Sequence, residues 1–188
     1  MNQTMKKTCY TEFHKLLHWV SAVVILWTLV SGFYVSLADV SSVLKERVSF
    51  INVSLTTLYL PFFIVRLYVT FIYYRSPHAL HRSLADYLAL GIHMLIHMAV
   101  TVVLVTGILM MDRAINVFGL FTLPQPLDDP HLIELFFRIH IWACMVLAQL
   151  VFLHIAAVIK HELVGHPVLD RMLFRRQSWQ RPRKASRW

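Results

Sequence analysis

Histidine is the residue type through which this chain can do chemistry. The segment from Arg138 to Glu162 reads "RIHIWACMVLAQLVFLHIAAVIKHE", with His140 and His154 fourteen residues apart near the ends of a long apolar run. At about 100° and 1.5 Å per helical residue, that spacing brings the second ring back to within about 40° of the first and about 21 Å along the axis. One helix face therefore carries two imidazoles at different depths. An ionisable group in so apolar a helix is costly and points to function, and inward-facing imidazoles in helical bundles are the usual axial ligands of b-type haem. Ligation from both sides requires a second imidazole at matching depth on a facing helix. His18, in "KLLHWVSAVV", meets that need for His154. The expected neighbour of His140 is "VSFINVSLTTLY", which holds no histidine.

Composition sets the solvent around these rings. The 188 residues are 57% hydrophobic and 15% charged, and the mean hydropathy of +0.59 excludes an ordinary soluble domain. Four apolar stretches, 16–38, 49–74, 84–111 and 132–160, are each long enough to cross a hydrocarbon core that takes about 20 helical residues. Backbone groups in lipid must be satisfied internally, and the runs lack the alternation of a barrel strand. The expected fold is an all-α, integral membrane four-helix bundle, a single domain over 1–188 with a basic tail at 161–188. The first stretch is read as a retained span, because its apolar part exceeds the roughly 7–15 residues of a signal-peptide core.

Charge orients the bundle. One side holds Lys6, Lys7, Lys15, Arg75, Arg82, Lys160 and the tail "RRQSWQRPRKASRW"; the other holds Lys45, Arg47, Arg113 and Arg138 with most of the acids, Asp39, Glu46, Asp112, Asp128, Asp129 and Glu134. The positive-inside rule puts both termini in the cytoplasm. A net charge of +8 raises the question of nucleic acid, but the basic residues cluster at span ends, so membrane lipids are the expected partner and nucleic acid is not. Cys9 and Cys144 fall too far apart for a disulfide, and the absence of CxxC and CxxCH speaks against thiol redox chemistry and covalent c-type haem.

The remaining histidines read differently. His93 and His97 lie one turn apart in the third span, toward the cytoplasmic half and too far from His140 to serve as its partner. His97 is expected to be a core histidine bonded to a backbone carbonyl. His14 is expected at the interface, and His78, His81, His131, His161 and His166 in exposed loops. Trp19, Trp27, Trp142 and Tyr59 read as anchors or packing, Pro61 as a kink in the second span, and Gly32 and Gly107 as points where a helix or a porphyrin face approaches closely.

From about Glu12 to Leu173 the chain resembles the bacterial cytochrome b561 family, four-helix dihaem membrane proteins related to the cytochrome b subunits of hydrogenases. The resemblance is carried by "HKLLHW", "IVRLYV", "GIHMLIHMAVTVVLVTGILMM", "NVFGLFTLP" and the pair His140 and His154. It implies an inner haem b on His18 and His154 and an outer haem on His140, whose second ligand position, a histidine in the family, falls here on Asn52. His140 then holds a five-coordinate haem, or Asn52 or a water completes the site, or the outer haem is absent; an amide is far less basic than imidazole. His93 is implied near the inner haem edge and the quinone region. The cofactor-binding set is thus His18, His140, His154, Asn52 and His93, with His18, His154 and His140 as iron ligands. The implied function is an electron carrier of the bacterial inner membrane that exchanges electrons with quinone, and the family includes members that oxidise superoxide and pass the electrons to quinone. A membrane-anchor subunit taking electrons from a partner redox enzyme, and a non-haem scaffold, are the other classes the sequence leaves open.

Overall fold

The computed structural model describes residues 12–74 and 84–165. The sequence readings at Lys6, Lys7, Cys9, Arg75, His78, His81, Arg82, His166 and the arginine-rich tail lie outside the described residues. Four helices follow one another, α1 (Glu12–Leu37), α2 (Ser42–Tyr74), α3 (Leu84–Leu109) and α4 (Pro130–Leu163), and all four are long and apolar enough to cross a membrane. They match the expected stretches with shifted ends: α1 stops at Leu37 and α3 at Leu109, one and two residues short, while α2 begins at Ser42 rather than 49 and α4 runs to Leu163, into the stretch read as tail. Lys45, Glu46 and Arg47 are good helix formers, so the helix continues past the end of the apolar run.

Local sequence sets the helix ends. Ser41 caps α2, its hydroxyl accepting from the Leu44 amide at 3.3 Å, and Asp129 caps α4 by accepting from the His131 amide at 2.8 Å, with Pro130 just inside the first turn. Beyond α4, Gly165 adopts φ +82° and its amide bonds the Glu162 carbonyl at 3.2 Å, a left-handed residue that ends the helix. Pro61 sits on an exposed face of α2, which is a single helix through that position.

One element lies outside the all-α expectation. Between α3 and α4, β1 (Ile115–Val117) pairs antiparallel with β2 (Phe121–Leu123). Phe118 and Gly119 take φ of 49° and 74°, and the Leu120 amide closes the turn on the Val117 carbonyl at 2.9 Å. Ile115 and Val117 are among the most buried side chains described. The hairpin docks on α2 through Ser54, whose hydroxyl donates to the Asn116 carbonyl at 3.1 Å and accepts from the Phe118 amide at 3.3 Å.

Within the bundle α1 packs along α2 and α3 along α4, while α2 meets α3 more lightly. One apolar cluster ties the helices together: Val24 and Leu29 from α1, Tyr59 and Phe63 from α2, Val100 and Leu104 from α3, and Leu147 from α4. Hydroxyls inside the spans mostly turn back on their own helix. Ser21 donates to the Leu17 carbonyl at 2.7 Å, Thr28 to Val24 at 2.9 Å and Thr101 to His97 at 2.8 Å, which satisfies them where water is absent.

Candidate functional site

Imidazoles from three helices lie in one half of the bundle, two of them in ring contact. His93 of α3 and His154 of α4 stand edge to face, ring centroids 5.0 Å apart and planes at 63°. His18 of α1 is a half-buried ring in the same half of the bundle. From α2, Arg66 brings Nη2 to 3.3 Å from His18 Nδ1. A guanidinium only donates, so Nδ1 accepts and the His18 proton is on Nε2 in this arrangement. Of the three residues read from sequence at this depth, His93 and His154 are in contact, and His18 is held by Arg66.

Beside them lies a buried polar fringe. His97 Nδ1 donates to the His93 carbonyl at 2.6 Å, and its ring stacks on Phe63 at 6.3 Å and 21°. It is the carbonyl-bonded core histidine expected from the sequence. With the proton on Nδ1, Nε2 is a bare lone pair, buried and without a hydrogen-bond partner. The Tyr59 hydroxyl is buried near Ser21 and Arg66 but outside hydrogen-bonding geometry with either. At the start of α1, Lys15 is buried rather than exposed, and it pairs with Glu12 at 3.2 Å.

The other half is built differently. His140 Nδ1 lies 3.1 Å from the Val103 carbonyl and 3.1 Å from Thr106 Oγ1, both on α3. A carbonyl only accepts, so here the proton is on Nδ1 and the Nε2 lone pair is available for bonding. Cys144 Sγ, one turn further along α4, approaches that Nε2 at 3.5 Å. A Cβ on Gly107 would come within 3.2 Å of His140 Cε1, so the missing side chain is what lets the ring lie against α3. Asn52 turns the other way: its Oδ1 accepts from Ser31 of α1 at 3.0 Å. Asn52 and His140 thus engage opposite neighbours, and among the described residues no hydrogen bond joins them.

Sequence reasoning passed over Arg66, Cys144 and Thr106. Arg66 stood in the quoted "IVRLYV", but its partner is 48 residues away and no local spacing announces it. Cys144 had a usable signal, the one-turn offset from His140. Among the described residues no three His, Cys, Asp or Glu side chains converge as a bare metal ion requires. Imidazoles that face one another across helices suit axial ligation of a planar cofactor instead.

Four membrane-crossing helices with imidazoles turned toward each other in the interior define a multi-pass membrane protein of the redox-cofactor class. The family model for prokaryotic cytochrome b561 matches residues 9–175, and the chain belongs to that family. Membership makes it a bacterial membrane electron carrier of the b-type haem kind. No curated protein matches the chain.

Proposed function

We propose that the chain carries one haem b, ligated by His18 and His154 in the cytoplasmic half of the inner membrane, and exchanges its electron with a membrane quinone. The observation that carries the reading is the contact of His93 with His154 in the half of the bundle where Arg66 meets His18. The donor set fits the group: imidazole nitrogens come from separate helices, and a guanidinium is at hand for the acidic side groups of a porphyrin. The bound haem supplies reversible one-electron chemistry. Ligation through His18 Nε2 requires the proton on Nδ1, so the contact between that nitrogen and Arg66 must give way, and the guanidinium then serves the anionic groups of the cofactor. His93, half-buried at the edge of the pair, is the residue able to exchange the proton that accompanies quinone reduction or quinol oxidation.

The outer half does not offer the same fit. Its imidazole within the apolar core, His140, is engaged by α3 and Cys144, and the amide opposite is bound to α1, so among the described residues no second histidine is placed to complete a bis-histidine haem there. Superoxide oxidation is disfavoured as well. The outer side exposes Asp112, Asp128, Asp129 and Glu134, and an anion approaches an acid-rich surface slowly. Purified protein should contain one low-spin haem per chain by pyridine haemochrome assay, and a soluble ubiquinone analogue should reoxidise the dithionite-reduced band after removal of excess reductant. Colourless protein, or a reduced band that quinone leaves unchanged, overturns the reading.

A further inference from the structure

The face of α4 turned away from the histidines carries a polar group that nothing described in the chain satisfies. Gln149 is exposed, and no hydrogen bond joins its side chain to any described residue. It precedes His154 by five residues and follows His140 by nine, which puts it about 140° and about 180° around the helix from them. It also sits between them in depth, near the middle of the span. In the apolar 18-residue stretch of α4 only 6% of residues are buried, against 17% in the corresponding stretch of each other helix. A carboxamide facing hydrocarbon is costly, because lipid tails neither donate nor accept.

We infer that Gln149 marks a homodimer interface, in which α4 packs against α4 of a second copy in the same orientation and the two Gln149 amides bond each other across the two-fold axis. A carboxamide is both donor and acceptor, so it complements itself. A second copy presents the matching group at the same depth by symmetry, whereas lipid cannot. The surrounding pattern supports the seam. Met145, Gln149, Phe152, Ala156, Ile159 and Leu163 alternate spacings of four and three, the repeat along which two helices mesh side by side. Phe152, Ala156, Ile159 and Leu163 also line a surface groove, and the small Ala156 within it lets a partner backbone approach. The ligand-bearing face stays inside its own bundle, so this reading does not depend on haem.

The test uses full-length protein in mild detergent and in lipid nanodiscs. Native mass spectrometry and light scattering should find a dimer for the wild type. Gln149→Leu should weaken it by about tenfold, since each interhelical hydrogen bond in a membrane contributes modestly and two are lost. In vesicles, Gln149→Cys should cross-link under mild oxidant well above the background of the unsubstituted chain, while Ala148→Cys, which packs against the core cluster, should not. An unchanged haem spectrum in Gln149→Leu shows that the bundle is folded. A monomeric wild type, a dimer indifferent to Gln149→Leu, or cross-linking of Gln149→Cys only to some other protein or no better than Ala148→Cys, overturns the proposal.

Discussion

His140 and His154 sit on one face of one helix, yet the two halves of the bundle use them differently. Around His154, rings from α1 and α3 turn inward and a cation from α2 closes on them. Around His140, α3 takes up Nδ1, a thiol from the same helix meets Nε2, and the α2 residue at the family's ligand position is bound to α1. A buried imidazole becomes half of a bis-histidine haem site only when a second imidazole faces it. Counting histidines says little, because what separates the two halves is largely the side chain at position 52.

The harshest way to break this contrast is to remove an inner ligand. His18→Ala or His154→Ala should abolish the low-spin haem band in reduced-minus-oxidised spectra, leaving less than about a tenth of the wild-type signal, because one protein ligand is lost and a cavity opens beside the porphyrin. A full wild-type band in either variant would sink the assignment. The next test makes the halves alike. Asn52→His should raise haem per chain from one toward two, read by pyridine haemochrome against protein concentration; two low-spin haems already in the wild type, unchanged by the substitution, would mean that some other residue completes the outer site.

Smaller effects sharpen the picture. Arg66→Gln removes a cation beside the inner site, which disfavours the electron-rich state, so the midpoint potential should fall by on the order of 50 mV in a spectroelectrochemical titration. A potential unmoved or raised would remove Arg66 from the site. His97→Leu should have the least effect. It deletes a buried nitrogen that has no partner along with the Nδ1 bond to the His93 carbonyl, an oxygen inside a helix, so thermal unfolding in detergent should shift by no more than about 1 kcal/mol and the haem spectrum should persist; loss of haem would make His97 part of the ligand set.

The four spans were legible because apolar run length is a property of the chain alone and lipid leaves the backbone few alternatives. The depth matching of His18 with His154 was legible for the same reason, since antiparallel crossing fixes which ends meet. The hairpin was not. "NVFGLFTLP" is too short for a periodic signal, and its burial depends on Ser54, a residue 62 positions before Asn116. Arg66 and Thr106 were hidden in the same way, their roles decided by partners 48 and 34 residues distant. The start of α2 at Ser42 shows a milder failure: hydropathy marks where a helix is wet, not where it ends.

The hydrogen bonds described between helices bear on assembly. Arg66 to His18 and Ser31 to Asn52 join α1 with α2; His140 to Val103 and Thr106 joins α4 with α3. Across the seam between these two helical hairpins the contacts described include apolar packing and the stacking of Phe63 on His97, and the loop hairpin bonds α2 through Ser54. His18 and His154 lie on opposite sides of that seam. Each helical hairpin therefore carries its own interhelical hydrogen bonds, and parting the two to admit a flat cofactor costs apolar contact at the seam together with the one bond that ligation displaces, Arg66 to His18 within the first pair. On this view the cofactor is a late cross-link, joining two prefabricated halves through one imidazole from each.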